Sequence, residues 1–357
     1  MSTAGPRPKL PKRQHYVPQF LLRRFAGGKK GRQVHVYDKR AGRAYVATVR
    51  EVAAEGGYYN VPGAVVDRVW AEGRRRGVVP ADLEPPQLSL EPWLAGLEAE
   101  AAAIVDRVVG RESLAGLADE DRGVLAQFAA VQYARAPQQR ALFAQMQEGM
   151  AAFTAKFAHL DHDPAGVLDR LGLGPLAPDD LAMLHVRHVV KASEEFAPFF
   201  AGRPWILVAP PGGETFYLGD NPVTLYDSTP PEQRDPRYGT GLASPGVDLT
   251  LPLSPRLCLV MLCPTTVDEV RGIVRRARFA ALVGYPAVWP ARAARLVAAL
   301  DAGTPLALDP EEVEHYNARQ VRFAARFVYA ADGRFALVRR MLVDDAAYRT
   351  GPRIEVG

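Results

Sequence analysis

The sequence predicts an α+β fold, and three observations carry that reading. Short alternating or wholly apolar runs, bounded by Gly, Pro, Asn and Asp, lie toward both ends of the chain. Between them a block at about residues 91–200 has apolar residues at helical spacing. No internal repeat and no regular strand–helix alternation accompanies them, so a mostly antiparallel sheet is expected. The expected architecture is a sheet built from N- and C-terminal hairpins, packed against a central helical block.

In chain order, residues 1–11 read as a disordered basic tail. Tyr16 to Phe25 suits a short helix opened by Pro18. Gln33 to Tyr37 alternates like a strand, Asp38 to Arg43 is a turn, and Ala44 to Val49 returns. Arg74 to Pro92 is rich in Arg, Pro and Gly and reads as a loop. Helices are expected over 91–109, from Asp119 to Ala134, from Gln138 to His159, and from Pro178 to about Glu195, with Pro137 breaking the second from the third. Trp205–Ala209 and Thr215–Leu218 read as paired strands, followed by an Asp220-Asn221-Pro222 turn. Asp227–Gly246 reads as a long polar loop. Val247–Leu253 and Leu257–Leu262 are further strands, and Thr266–Ala280 a helix ending in arginines. Asp309-Pro310-Glu311-Glu312 is a helix start with a capping box. Ala325–Ala330 and Arg334–Arg340 are expected to close the fold as a hairpin. The whole reads as one domain over 12–345, with helices at about 91–200, a sheet region at about 203–340 and a tail at 346–357.

Composition bounds the function classes. The 357 residues are 48% hydrophobic and 24% charged, as in soluble globular proteins with a sizeable core. The two cysteines, Cys258 and Cys263, sit in an apolar run and read as buried thiols. There is no apolar signal core and no run long enough to cross a bilayer, so a cytoplasmic protein without a membrane partner is expected. The P-loop, GxSxG, HExxH and dinucleotide-turn patterns are absent. Charge is uneven: residues 1–50 hold thirteen Lys or Arg against one acid, Asp38, giving +12 in a chain of +4. The remainder is therefore −8. A basic arm on an acidic body suggests an anionic partner, nucleic acid or an acidic protein, or a dock onto the body itself.

Helical wheels at about 100° per residue place polar groups on apolar stripes. Gln132 falls in the stripe of Leu125, Phe128 and Ala129, with Arg135 at its edge. His185 and His188 fall among Leu181, Leu184, Ala192 and Phe196. Asn317 and Gln320 fall among Val313, Tyr316, Val321 and Ala324. A buried polar group without a partner costs about 1–3 kcal/mol, so these must bond one another, the backbone, water or a ligand. A satisfied structural network and a polar pocket both meet that demand. His185 and His188, three apart, can face one metal ion only if a further ligand such as His15 or Asp220 completes the set. His159-Leu160-Asp161-His162-Asp163 reads as a solvated loop.

The chain resembles the bacterial family catalogued as domain of unknown function (DUF) 4238. The resemblance rests on Gln14-His15-Tyr16-Val17-Pro18-Gln19-Phe20-Leu21-Leu22-Arg23-Arg24-Phe25, Val36-Tyr37-Asp38-Lys39, Tyr58-Tyr59-Asn60 and the Glu98 helix. It extends through Gln132-Tyr133-Ala134-Arg135-Ala136-Pro137, Gly219-Asp220-Asn221-Pro222-Val223, Leu251-Pro252-Leu253-Ser254-Pro255, and Asn317 ahead of Ala325-Arg326-Phe327-Val328-Tyr329. Many relatives carry two adjacent histidines where this chain has Gln14-His15, so a scheme needing both imidazoles does not carry over. The family name implies no activity.

Two functions are therefore expected. The first is a hydrolase for a phosphoester or nucleic acid. His15 is its base or metal ligand, Asp220 orients it, Arg135 forks an anionic group, and Asn221 stabilises charge. Gln19, Arg23, Arg24, Gln132, Asn317 and Gln320 would bind substrate. A divalent metal suits this chemistry, and no organic cofactor is expected. The alternative is a non-catalytic module that binds nucleic acid or an acidic partner through the basic arm.

Overall fold

The computed structural model describes residues 12–27, 31–156, 166, 176–229, 241–283 and 290–353. The expected basic tail at 1–11, the histidine–aspartate loop at 159–163 and most of the polar loop after Asp227 lie outside them.

Strand β1 (Gln14–His15) leads into the short helix α1 (Gln19–Arg24), then the hairpin β2 (Gln33–Asp38) and β3 (Arg43–Thr48). Strand β4 (Ala54–Glu55) returns to pair antiparallel with β1. Six helices follow: α2 (Gly63–Arg75), α3 (Glu91–Arg111), α4 (Asp119–Ala134), α5 (Pro137–Lys156), α6 (Pro178–Glu195) and α7 (Ala197–Ala201). Then come β5 (Trp205–Ala209), β6 (Leu218–Gly219), β7 (Thr224–Asp227), β8 (Val247–Ser254) and β9 (Leu257–Met261). Helices α8 (Pro264–Leu282) and α9 (Ala291–Ala302), strand β10 (Leu306–Ala307), helix α10 (Pro310–Phe323), strand β11 (Phe327–Ala330) and helix α11 (Ala336–Asp344) complete the chain. The fold is α+β with antiparallel pairing dominant, as the sequence predicts.

Two larger sheets organise it. One has the order β10-β5-β9-β8-β7, parallel only between β10 and β5. The other is wholly antiparallel, in the order β3-β2-β11-β6. The alternation of β2 buries Val34 and Val36, while β8 and β9 are buried on both faces and read as continuous apolar runs. The Asp309–Glu312 capping box forms as expected, with both reciprocal bonds at 2.9 Å.

Four expectations are corrected. The segments at 205–209 and 215–218 do not pair: β5 joins β9, whereas β6 joins β11. Pro210 and Pro211 lack donors, and the Phe216 and Tyr217 amides bond Pro255 and Asn317 instead. No C-terminal hairpin forms either. Strand β11 already has β2 on one side and β6 on the other, and Val338, Met341 and Leu342 recur at helical spacing, so this stretch coils into α11. The Arg74-Arg75 pair ends a helix, α2, rather than lying in a loop. The expected tail is docked as far as residue 353: the Pro352 carbonyl accepts from Gln138, and Arg349 reaches the Lys39 carbonyl at 3.3 Å.

Of the alternatives for the basic arm, the dock onto the body is the one found. Tyr16, Val17, Leu21, Leu22 and Phe25 are part of the main core, beside residues of α3, α4 and β8. Burying side chains of this size contributes about 1.5–3 kcal/mol each, far more than exposed charge can oppose. From Gln14 onward the segment is thus part of the body, with Arg23, Arg32, Arg40, Arg43 and Arg50 exposed around an apolar spine and Lys39 buried.

Candidate functional site

The largest buried polar side chain of the helical block is Arg135, the C-cap of α4, only 1% exposed. Such a cation requires fixed acceptors. Gln132, one turn earlier, gives Oε1 to Arg135 Nε (2.8 Å) and Nη2 (2.6 Å). Glu98 of α3 takes Nη1 at 2.7 Å. Gln132 Nε2 donates in turn to the Tyr16 carbonyl at 2.8 Å, which ties α4 to the N-terminal segment. The inward wheel positions of Gln132 and Arg135 are therefore real. Their hydrogen-bonding capacity goes to each other, to Glu98 and to the backbone. The bidentate substrate fork expected of Arg135 is not available.

His15 stands beside this pair, half-buried. Its Nδ1 lies 3.4 Å from Gln19 Nε2, and Gln19 Oε1 accepts from the exposed Arg23 at 3.1 Å. The ring lies against the carbonyls of Val49 and Arg50, while Nε2 is buried without a hydrogen bond of good geometry. Burial holds the imidazole below its ordinary range, the Glu98 charge opposes that, and Arg13 adds to it. The main chain beneath is fixed: Tyr59 Oη donates to the His15 carbonyl (3.1 Å), and Gln14 bonds the Tyr59 amide, Asn60 and Ser89.

Glu91, seven residues before Glu98 on α3, completes the group. Its carboxyl is pushed up by burial and then by the Glu98 charge, with Arg135 opposing. Neither acid was a candidate from the sequence. The signal was present, because Glu98 lies in the same wheel sector as Leu94, Ala101 and Val105, which are buried. Around the group, Arg13 bonds the Glu51 carbonyl at 2.8 Å, and the Arg32 carbonyl accepts from Val49 at 3.0 Å. Arg13, Arg23, Arg32 and Arg50 are all exposed. The cluster is therefore a neutral imidazole and two carboxyls inside a cationic rim.

The other expected residues lie in separate networks. Asp220 is fully buried and accepts main-chain N–H from Ala325 (2.7 Å), Arg326 (2.8 Å) and Phe327 (2.8 Å). It does not orient His15; it fixes the turn from α10 into β11. Burial pushes its carboxyl up, although these amides and Lys39 oppose that. Lys39 is itself fully buried, donates to the Val321 and Ala324 carbonyls at the end of α10, and is pushed down to about 8 by burial. Asn317 bonds the Tyr217 amide (2.7 Å) and Thr215 carbonyl (2.9 Å), and Gln320 the Gly219 amide (2.8 Å) and Pro222 carbonyl (3.0 Å). The two amides replace the strand partners that residues 215–222 lack. Gly219 is required there, since a Cβ would come within 3.0 Å of the Gln320 carbonyl oxygen. Asn221 is buried, with Oδ1 unpartnered. Arg24 pairs with Asp106 of α3.

His185 and His188 occupy an aromatic setting instead of a metal centre. Tyr58 meets His185 edge-on at 5.2 Å, and Phe143 and Phe196 meet His188 at 5.2 and 5.6 Å. Burial, aided by the Arg140 charge, holds His185 down to about 3. Among the described residues no group of three or more His, Cys, Asp or Glu is placed to hold a metal. No helix among them is long and apolar enough to cross a membrane.

No curated protein and no solved structure matches this chain. The family model described as a protein of unknown function, DUF4238, matches residues 13–334, which takes in His15, Glu91, Glu98, Gln132 and Arg135, and the chain belongs to that family.

Proposed function

We propose that this chain is a hydrolase that cleaves a phosphoester, in a nucleic acid or a smaller molecule, by general acid–base chemistry at His15 and Glu91. One observation carries the reading. Two titratable groups that both feel the Glu98 charge are driven in opposite directions, the imidazole down and the Glu91 carboxyl up, so the base is neutral and the acid retains its proton further into the working range. The Glu98–Arg135 pair joins α3, which carries Glu91, to α4, whose Gln132 holds the Tyr16 carbonyl next to His15. The rim of Arg13, Arg23, Arg32 and Arg50 suits an anionic substrate.

In this scheme water attacks phosphorus while His15 takes one of its protons. The ester P–O bond breaks, and the leaving oxygen takes the proton of Glu91. Proton transfer from His15 to Glu91 through solvent restores both groups. The test is cleavage of bis(4-nitrophenyl) phosphate and labelled DNA and RNA, with and without divalent metal, by the wild type, His15→Ala and Glu91→Gln. Turnover in the wild type that falls about 100-fold or more in each variant supports the reading. Equal activity in all three ends it.

The exposed rim favours a second reading, a module that binds nucleic acid without cleaving it. Affinity for an uncleaved oligonucleotide that falls steeply with salt supports that one.

A further inference from the structure

A cavity lies away from the His15 cluster and shares no element with it. It opens between α8, α9 and α10, beside β10, with a volume of about 510 Å³. Val270, Ile273, Leu296, Leu306, Leu308 and Tyr316 line it, and the Arg292–Glu312 ion pair stands at its edge. That volume and that mixture, apolar walls with few polar groups, are what small-molecule sites use.

The surface leading from it is unusual. Along α8, Ile273 is 42% exposed, Phe279 66%, Leu282 85% and Val283 55%. Between them, Arg275, Arg276 and Arg278 are exposed, and α8 contains no acid after Glu269. Arg271, by contrast, is paired with Asp301 at 2.6 Å. Apolar side chains interleaved with free cations suit neither water nor a second copy of the same face, whose arginines would repel. They do not suit nucleic acid, which offers nothing to the apolar residues. The complement is a molecule with an apolar chain and an anionic head.

We infer that this cavity is a binding site for a single-chain anionic amphiphile of the fatty-acid class. The chain occupies the cavity against Val270, Ile273 and Leu296. The carboxylate meets Arg292 at the edge, displacing Glu312 from its ion pair, with Arg276 one turn beyond Ile273 on α8. Burial of the chain supplies most of the affinity, and the cations set the preference for an acid head.

The test is calorimetric titration of the full chain with dodecanoate below its micellar concentration, beside dodecyltrimethylammonium as the same chain with a cationic head. One-to-one binding is expected, with the cationic probe weaker by about tenfold or more. Ala293→Trp, at a half-buried lining position on α9, should fill the cavity and weaken dodecanoate by a similar factor. Arg292→Glu tests the edge without touching the interior and should remove the head preference. Equal binding of the two probes, or binding unchanged in Ala293→Trp, overturns the inference. So does binding only to vesicles of anionic phospholipid with none to free dodecanoate, because the face is then a membrane dock. Absence of binding to all three overturns it as well.

Discussion

Glu98 Oε1 stands 2.7 Å from Arg135 Nη1, joining a side chain 25% exposed to one that is 1% exposed. The carboxylate is the point at which a buried cation is neutralised from the edge of the molecule. Removing it takes away the ion-pair partner of Arg135 and leaves Gln132, Tyr59 and the weaker Glu91 charge. Glu98→Ala should therefore cost about 3–5 kcal/mol, as breaking one side of a buried pair does. Arg135→Met combined with Glu98→Leu should cost much less than the sum of the single changes, because no charge is then stranded. Urea unfolding of the four proteins gives the coupling, and strictly additive losses would show that the pair carries nothing.

The opposed carboxyl and imidazole predict a pH–rate profile. His15 must be deprotonated to act as base, and its folded value lies below 6.5. Glu91 must be protonated to act as acid, and its value lies above 4.5. Turnover should thus form a bell with its maximum on the acid side of neutrality. Glu91→Gln should remove the alkaline limb and leave the acid one. A plateau through pH 8 in the wild type contradicts the assignment.

Asp220 separates structure from catalysis. Its carboxylate satisfies three buried main-chain N–H groups, each worth about 1–3 kcal/mol when left unpaired. Asp220→Ala should lower the melting temperature sharply or prevent folding. Asp220→Asn, which keeps one acceptor oxygen, should be intermediate. His15→Ala should leave stability within about 1 kcal/mol, because the half-buried ring loses a weak Gln19 contact and its approach to the Val49 and Arg50 carbonyls. Normal melting with lost turnover in Asp220→Asn would return that residue to the chemistry.

These contrasts also mark what the sequence can disclose. Periodicity placed α3, α4 and α6 to within two residues, because their burial depends on local spacing. It also found Gln132, Arg135, Asn317 and Gln320 pointing inward, all of which are buried. What Gln132, Asn317 and Gln320 bond depends on contacts more than 90 residues away, such as Gln132 with Tyr16 and Asn317 with Tyr217, and no wheel contains that information. The Trp205–Leu218 hairpin failed for a similar reason: a partner strand distant in sequence outcompeted the adjacent one. Helix α11 was within reach, since the same wheel applied to Arg334–Val343 gathers Val338, Met341 and Leu342. Glu98 was legible too, but only by asking which polar residue interrupts the stripe of α3.

His185 gives a stability prediction with a definite sign. Its ring is 1% exposed, neither nitrogen has a side-chain partner, and its folded value is about 3 against an ordinary 6.5. The unfolded chain therefore binds the proton first. The contribution of the neutral ring to stability is complete above pH 6.5 and is lost progressively as pH falls from there toward 3. Between pH 7 and pH 4.5 the loss from this group is about 2–3 kcal/mol. His185→Phe keeps an aromatic ring against Tyr58 and removes the proton site, so its urea midpoint should fall less over the same interval. The two proteins should converge at neutral pH and diverge in acid. Parallel curves would mean that the ring keeps its proton in the folded state, held by the Ala134 carbonyl against burial and the Arg140 charge.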